Sequence, residues 1–281
     1  MTGENGFILE NDVEVPFIGY GTYKVKQEEA ERIIGEALEA GYRHLDTASI
    51  YKNETAVGNA VKHSGIQRRD LFLTSKLWKD SLGYDETLRE FDKTLERLST
   101  NYLDLYLIHW PLSHPDCADW KKQDREAWRA MERLYNEGAV RAIGVSNFLP
   151  HHLMNLLNGD IKIRPMVNQL EYHPGYIQQT AVAFSQSQGL QVEAWSPLGR
   201  TRILDDPFIV ELAKKYGKTP AQLCIRFAMQ NNVLPLPKSS SMERMKENLD
   251  VMDFDISMED MYRIMCMPQT GWSGNHPDTF D

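Results

Sequence analysis

Cysteine is scarce in this chain, and long apolar runs are missing. The three cysteines, Cys117, Cys224 and Cys266, lie far apart, and their spacing fits neither a disulfide framework nor a metal site. No run approaches the roughly 18 apolar residues of a membrane-spanning helix. The N-terminus has neither the basic nor the apolar part of a secretory signal. We therefore expect a cytoplasmic protein with reduced thiols, no required metal and no membrane contact.

Basic side chains are also outnumbered. The chain has 31 Lys and Arg residues against 40 Asp and Glu residues, which gives a formal charge of −9. That balance argues against broad binding to nucleic acid or anionic membranes, but it leaves room for a local basic pocket that holds one phosphate. No extended apolar surface pattern stands out, so the sequence predicts a monomer.

Strand-like and helix-like segments alternate along all 281 residues, with no linker or low-complexity stretch between them. A helical pattern follows each of eight segments that have the apolar character of buried parallel strands. These segments are 16–22, 42–47, 71–76, 102–109, 141–146, 166–170, 191–196 and 233–237. Eight such units predict an α/β fold, a (β/α)8 TIM barrel that forms a single domain over residues 1–281. An open, doubly wound sheet is the alternative.

The residues before the first unit have a different pattern. Residues 6–15 alternate weakly between apolar and polar around Asn11 and Asp12. That pattern predicts a short β-hairpin. In a barrel fold, we expect this hairpin to close the bottom of the barrel.

Ionisable side chains stand where the predicted strands end, and in a barrel the C-terminal strand ends form the active site. Asp46, Lys76 and His109 each end an apolar segment, and Tyr51 follows Asp46 closely. A lone buried charge is costly, so we expect Asp46 and Lys76 to pair. A neighbouring cation lowers the pKa of a tyrosine, which lets Tyr51 deliver a proton near neutral pH. The alternatives are a purely structural ion pair and, for His109, a hydrogen-bonded core histidine.

The end of the eighth strand is a second candidate site. Lys238 and Ser239–Ser241 precede a helical segment that carries Arg244, Glu247 and Asn248. Two basic side chains, three hydroxyls and a helix N-terminus favour phosphate binding. Barrels often hold a phosphate after their seventh and eighth strands. The alternative is an ordinary helix that is capped by serine and has a solvated basic flank.

Five segments resemble signature motifs of the aldo-keto reductase superfamily, and the likeness runs along nearly the whole chain. They are residues 41–54 (GYRHLDTASIYKNE), 73–78 (LTSKLW), 104–111 (DLYLIHWP), 143–148 (IGVSNF) and 236–239 (LPKS). The short loop after the seventh strand and the tail at 271–278 (GWSGNHPD) are most similar to the bacterial branch that includes 2,5-diketo-D-gluconate reductases.

The resemblance implies an NADPH-dependent enzyme that reduces aldehydes or ketones to alcohols by hydride transfer from the nicotinamide. Carried over by position, Tyr51 is the proton donor and His109 hydrogen-bonds the substrate carbonyl. Lys76 lowers the pKa of Tyr51, and Asp46 orients Lys76. The expected partner is a small-molecule carbonyl compound.

The resemblance also implies a cofactor site and a substrate pocket. Ser146, Asn147 and Gln169 would hold the nicotinamide carboxamide, and Trp195 would stack on the ring. The other residues expected to contact the cofactor, besides Asp46, are Gly21, Thr22, Ser196, Pro197, Leu198, Gly199, Lys238, Ser239, Ser240, Arg244, Glu247 and Asn248. The residues expected to line the substrate pocket are Tyr23, Trp78, His109, Trp110 and Trp272.

Two other classes of function remain open. A non-catalytic NADPH-binding barrel would share the cofactor site, although the presence of all four catalytic residues argues against it. An aldolase-like barrel would use Lys76 as a Schiff-base nucleophile. Pairing with Asp46 keeps that lysine protonated, which is the wrong state for attack on a carbonyl.

Overall fold

Strands and helices alternate along the chain as the sequence predicts. The structure, a computed structural model, describes residue 3 and residues 6–280. Its strands are β1 (Gly6–Ile8), β2 (Glu14–Pro16), β3 (Tyr20–Gly21), β4 (His44–Asp46), β5 (Phe72–Leu77), β6 (Leu103–Ile108), β7 (Val140–Ser146), β8 (Val167–Glu171), β9 (Gln191–Trp195) and β10 (Val233–Leu236). Its α-helices are α1 (Ala30–Ala40), α2 (Glu54–His63), α3 (Tyr84–Leu98), α4 (Trp120–Asn136), α5 (Pro150–Leu157), α6 (Gln179–Ser187), α7 (Pro207–Lys215), α8 (Pro220–Gln230), α9 (Met242–Leu249) and α10 (Met258–Met265).

Strands β3 to β10 form one eight-stranded parallel sheet in which neighbours pair in chain order. Backbone hydrogen bonds close this sheet on itself. Gly19 N donates to Pro235 O at 3.1 Å, and Gly21 N donates to Pro237 O at 3.0 Å. The first strand of the sheet is therefore joined to the last, which confirms the predicted (β/α)8 barrel over the open sheet.

The predicted hairpin is present at the start of the described chain. β1 and β2 pair antiparallel, with Phe7 opposite Val15. Both side chains are buried in one cluster with Phe72, at the start of β5, and Leu234, near the start of β10. The hairpin therefore covers the N-terminal end of the barrel and leaves the opposite end open.

The first barrel strand is shorter than predicted. The segment 16–22 is expected to be one strand, but Pro16 pairs with Gly6 in the hairpin. Only Tyr20–Gly21 pairs with β4 in the barrel. The apolar run spans two elements because Pro16 belongs to the hairpin, whereas the last residues of the run are buried in the barrel.

The helices pack with one buried face. In α1 the buried residues Ile33, Ala37 and Leu38 recur at helical spacing. Gly41 ends this helix with a φ of 118°, a left-handed conformation that favours glycine. The chain then enters β4, whose last residue is Asp46.

The longest helix in the described part of the chain is α4, with 17 residues, and charged side chains are distributed along it. In residue 3 and residues 6–280, no helix is both long enough and apolar enough to cross a membrane. The helices instead pack against their neighbours and against the barrel strands.

Candidate active site

A cavity of about 480 Å³ opens at the C-terminal ends of the barrel strands. Residues predicted for catalysis and residues predicted for cofactor binding share its lining. The predicted residues that line it are Gly21, Tyr23, Asp46, Tyr51, Trp78, His109, Trp110, Asn147, Gln169, Trp195, Ser196, Pro197, Leu198 and Lys238. Residues that were predicted at separate strand ends therefore line one cleft.

The four predicted catalytic residues lie together on this cleft. Lys76 Nζ donates to Asp46 Oδ1 at 2.6 Å and to Thr47 O at 3.0 Å. The same Nζ lies 5.2 Å from the centroid of the Tyr51 ring. The Tyr51 hydroxyl is 3.5 Å from His109 Nε2. An ion pair thus lies beside a phenol whose hydroxyl faces an imidazole.

Local structure explains how Tyr51 reaches this position. β4 ends at Asp46, and a short 3-10 turn over Ser49–Tyr51 follows it. Ser49 Oγ donates to Lys76 O at 3.1 Å, which ties the turn to the end of β5. The turn is therefore fixed to the two strands that carry the ion pair.

The pKa of Tyr51 differs from the expectation. Lys76 was expected to lower it, but the structure raises the pKa of this phenol well above its ordinary value. Burial of the ring is the largest cause, and the negative charge of Asp46 adds to it. Asp46 is paired with Lys76, so its negative charge opposes the stabilising effect of the lysine on a tyrosinate without removing it. Tyr51 is therefore fully protonated at neutral pH, which suits a proton donor.

His109 is neutral in this environment. Burial lowers the pKa of its imidazole well below the ordinary value, and the Lys76 charge lowers it further. Nε2 faces Tyr51, while Nδ1 is buried without a hydrogen-bond partner among the described residues. A neutral imidazole can donate one hydrogen bond from Nε2 to an oxygen in the cleft.

Glu193 is a member of this cluster that the sequence did not single out. Gln169 Nε2 donates to Asp46 Oδ2 at 2.9 Å and to Glu193 Oε2 at 2.8 Å. Burial, and the nearby charge of Asp46, raise the pKa of Glu193 to about 8. Both amide hydrogens of Gln169 are engaged by carboxyl groups, so its carbonyl oxygen is left for another donor.

The predicted nicotinamide contacts are connected to the catalytic residues. Asn147 has a φ of 64°, a left-handed conformation that asparagine tolerates. Its Nδ2 donates to His109 O at 2.9 Å, and its Oδ1 accepts from Trp195 Nε1 at 2.9 Å. Ser146 Oγ donates to Gln169 O at 2.9 Å. The indole of Trp195 is thus held at the cavity by a hydrogen bond along its edge.

Arg200 lines the cavity, although the sequence did not predict it. Its guanidinium lies 5.7 Å from the ring centroid of Trp195 and 5.9 Å from that of Tyr23. The residue has a φ of 54° within the 3-10 turn Gly199–Thr201. A positive charge therefore stands between two aromatic rings of the cleft.

The predicted phosphate pocket lies at the rim. Lys238 Nζ donates to Ser240 Oγ at 2.8 Å, and Arg244 is exposed in the first turn of α9. Ser241 caps this helix, because its side chain accepts from Arg244 N. The two alternatives for this segment, a phosphate pocket and a helix capped by serine, are therefore compatible with each other.

The remaining predicted cofactor residues are placed as follows. Ser239 is buried, and its carbonyl oxygen accepts from Tyr20 Oη at 2.5 Å. Glu247 Oε1 accepts from Thr219 Oγ1 at 2.7 Å, and Asn248 is buried beside it in α9. Buried residues that adjoin the lining without forming it are Thr22 and Gly199.

The aromatic wall differs from the prediction at one position. Tyr23, Trp78 and Trp110 line the cavity. Trp272 does not, since it lies against Tyr176 with a centroid separation of 6.0 Å. Phe280 takes the place expected for it and stacks on Trp110 at 4.0 Å with an interplanar angle of 18°.

These residues fit a nicotinamide cofactor. Asn147 and Gln169 are amides at the cavity, where a carboxamide requires matching donors and acceptors. Trp195 supplies a flat aromatic face, and Lys238 supplies a positive charge on the same lining. The donor set therefore matches a ligand with a flat polar ring at one end and a phosphate at the other.

The fold and the site together define a (β/α)8-barrel oxidoreductase. The chain matches the aldo/keto reductase family over residues 17–266 and belongs to that family. This confirms the resemblance found in the sequence motifs.

Sequence and structural similarity to known proteins extends over nearly the whole chain. A glyoxal reductase from Bacillus subtilis is 45% identical over 271 residues, which are 96% of this chain and 95% of that protein. The crystal structure of MGS-M4, an aldo-keto reductase from a deep-sea metagenome library, has a TM-score of 0.91 at 39% identity and covers 98% of this chain and 100% of its own. A Bombyx mori aldo-keto reductase solved in complex with NADP has a TM-score of 0.85 at 33% identity, over 93% of this chain and 92% of its own.

Proposed function

We propose that this enzyme reduces small aldehydes and ketones with NADPH, and that Tyr51 is the proton donor. One observation carries the proposal. The Tyr51 hydroxyl and the neutral His109 Nε2 lie 3.5 Å apart and face the same cavity. Two neutral hydrogen-bonding groups in that arrangement suit the capture of one carbonyl oxygen.

The proton moves from Tyr51 during reduction. When bound, NADPH supplies a hydride to the carbonyl carbon. Negative charge then develops on the carbonyl oxygen, where His109 Nε2 donates a hydrogen bond and the Tyr51 hydroxyl transfers its proton. The ammonium of Lys76, 5.2 Å from the ring centroid, stabilises the tyrosinate that is left. Reprotonation of Tyr51 from solvent completes the cycle.

The cofactor is held by residues on both sides of the catalytic cluster. Gln169, with both amide hydrogens engaged by Asp46 and Glu193, offers its carbonyl oxygen to the carboxamide. Asn147 lies next to it, and Trp195 would offer its flat face to the nicotinamide ring. Lys238, Ser239 and Arg244 would bind the 2′-phosphate, which would give a preference for NADPH over NADH.

The substrate is a small carbonyl compound. Tyr23, Trp78, Trp110 and Phe280 leave an aromatic cleft of about 480 Å³ that the cofactor also enters. Little volume is therefore left for a bulky substrate. Short aldehydes and α-dicarbonyl compounds fit this pocket, which agrees with the name of the glyoxal reductase relative.

The proposal extends to the state of the whole protein. We propose a single-domain monomer that acts in the cytoplasm. Its three cysteines are free thiols, which supports a reducing compartment. Size-exclusion chromatography with light scattering tests the monomer.

The experiment measures absorbance at the reduced-nicotinamide band with NADPH or NADH and a panel of aldehydes, ketones and α-dicarbonyls. We expect carbonyl-dependent oxidation that is faster with NADPH. Lys238→Ala should weaken binding of NADPH far more than of NADH, whereas Lys246→Ala, an exposed lysine on α9, should change neither. NADPH binding without oxidation of any panel member would support the non-catalytic barrel instead. An equal loss of affinity for NADPH and NADH in Lys238→Ala would show that Lys238 does not bind the 2′-phosphate.

A further inference from the structure

Two adjacent histidines meet a carboxylate from the distant C-terminal tail. His151 and His152 lie in the first turn of α5, and Asp278 lies 127 and 126 positions further along the chain. The Nε2 atoms of both histidines are 2.9 Å from the same oxygen, Asp278 Oδ1. We call these three residues the tail latch.

The chemistry of His152 decides what the tail latch can bind. His152 Nδ1 accepts a hydrogen bond from Leu149 N at 3.1 Å. A neutral imidazole that accepts at Nδ1 carries its proton on Nε2. Burial lowers the pKa of this histidine to about 3, so it stays neutral in that tautomer. Its Nε2 therefore carries the hydrogen and has no lone pair for a metal ion. This atom lies 2.9 Å from Asp278 Oδ1 without the alignment of a hydrogen bond.

His152 is a rigid anchor for the tail. Its side chain is fully buried, with the ring of Trp120 at 5.1 Å and that of Phe148 at 5.8 Å. The buried ring is therefore a fixed surface against which the Asp278 carboxylate rests, 2.9 Å from Nε2. His151, which is exposed, makes the hydrogen bond to the same oxygen, with Nε2 and Asp278 Oδ1 2.9 Å apart.

The tail is also held at a second point. Ser273 N and Ser273 Oγ donate to the two carboxylate oxygens of Glu171 at 2.9 and 2.7 Å. Glu171 is the last residue of β8. The segment from Ser273 to Asp278 is therefore fastened to the barrel at both ends, and Asn275 between them lines the cavity.

Phe280 follows the tail latch by two residues. Its ring stacks on Trp110 at 4.0 Å and meets the edge of Trp78 at 6.2 Å. Two residues span about 7 Å of extended chain, so the position of Asp278 limits where the Phe280 ring can lie. Lys79 Nζ also donates to Phe280 O at 3.4 Å, so the tail latch adds to the contacts that keep Phe280 at the cavity.

We propose that Asp278 is a positioning residue for substrate binding: through His151 and His152 it holds Phe280 against Trp110 and so completes the substrate pocket. This role rests on the proposed function, because it assigns to the cavity a carbonyl substrate that Phe280 helps to bind. Asp278 itself touches neither the catalytic residues nor the cavity lining described above.

Steady-state kinetics with a small α-dicarbonyl test the role. Asp278→Ala should raise KM for the carbonyl about 3- to 10-fold, the size of one lost aromatic contact, with little change in kcat or in the Kd for NADPH. Phe280→Ala should raise KM to the same extent. The double variant should match Phe280→Ala alone, because both changes remove one interaction. Asp278→Asn keeps an acceptor oxygen and should restore a KM near that of the unmodified enzyme.

A matched control is Asp253→Ala, which removes a surface carboxylate that pairs with Lys218 at 2.7 Å, away from the cavity. It should leave KM unchanged. Additive effects of Asp278→Ala and Phe280→Ala would overturn the proposal. So would a KM in Asp278→Ala equal to that of the Asp253→Ala control.

Hydrogen exchange of the tail gives a readout that does not depend on activity. Thr279 N donates to His276 O at 3.0 Å, so this amide reports whether the tail is ordered. We expect faster exchange in Asp278→Ala and in His151→Ala, and unchanged exchange in Asp253→Ala. If the unmodified enzyme reduces no carbonyl, the proposed function fails while this measurement still tests the tail latch. Unchanged exchange in Asp278→Ala, or slower exchange of the unmodified protein with Zn²⁺ alone, would overturn the hydrogen-bonded latch.

Discussion

The side chains that face the proposed substrate are both neutral, while the charges stand beside them. Burial raises the pKa of Tyr51 and lowers that of His109. The ion pair of Lys76 and Asp46 lies next to the phenol ring. A protonated phenol can release a proton only when negative charge develops on a nearby oxygen, so the arrangement favours proton donation in the transition state over the resting state.

The buried carboxyl of Glu193 predicts a pH-dependent stability. Its pKa is about 8 in the folded state, above the 4.5 of a free glutamate. Between these values the folded state binds a proton that the unfolded state has lost, so stability falls as pH rises through that range. Glu193→Gln cannot ionise, so its melting temperature relative to the unmodified protein should rise from about pH 5 to about pH 8 and then level off.

Thermal unfolding monitored by circular dichroism checks this prediction. Glu243→Gln, an exposed change on α9, is the control and should give a difference independent of pH. A Glu193→Gln curve that runs parallel to that of the unmodified protein at all pH values would show that Glu193 is ionised in the folded state.

The sequence predicts the catalytic residues better than their surroundings. Asp46, Lys76 and His109 are visible because each ends an apolar strand, and strand ends meet in a barrel. Glu193 was missed because it lies inside a strand, where the sequence does not show which buried polar groups it will meet. Phe280 replaced Trp272 at the cavity because the tail has no helical or strand period that fixes the direction of its side chains.

Glycine allows the backbones of two neighbouring helices to approach closely. α2 packs against the end of α3 at Gly58, where an added Cβ would lie 2.5 Å from Leu98 O and 2.9 Å from Leu98 Cα. These are backbone atoms, so a side chain at this position would push the two helices apart. In α1, an added Cβ at Gly35 would meet nothing within 4 Å.

The two glycines give a matched prediction for helix packing. Gly58→Ala should destabilise the protein by about 1–3 kcal/mol through overpacking. Gly35→Ala should stabilise it by about 0.5–1 kcal/mol, because alanine loses less backbone entropy in a helix. Urea unfolding of both variants measures the two free energies. A stabilising Gly58→Ala would contradict the close contact between α2 and α3.

Element boundaries follow the sequence where local signals are strong. α1 ends at Gly41, whose left-handed conformation favours glycine. The division of segment 16–22 between two elements could not be predicted, because no turn signal separates its two halves.

At the scale of the whole molecule, the two ends of the barrel have different tasks. The hairpin buries Phe7 in the cluster at the N-terminal end, and Phe7 contacts the edge of Phe17 at 5.2 Å. The cavity and all four catalytic residues lie at the other end. Stability and chemistry are therefore separable along the barrel axis.

Phe7→Ala tests this separation. Removal of a buried phenylalanine should cost about 3–5 kcal/mol of stability. The KM for the carbonyl and the Kd for NADPH, measured well below the melting temperature, should stay unchanged. A large change in KM or Kd in a variant that is still folded would show that the hairpin also shapes the cavity.

The most direct test of the account is reduction by Tyr51→Phe. The variant keeps the ring and loses only the hydroxyl that faces His109 Nε2. Tyr262→Phe, at an exposed position in α10, is the control and should be fully active. We predict that Tyr51→Phe binds NADPH as tightly as the unmodified enzyme, measured by fluorescence quenching, and reduces the carbonyl about 10²- to 10⁴-fold more slowly. Carbonyl reduction at the unmodified rate would contradict the assignment of Tyr51 as the proton donor.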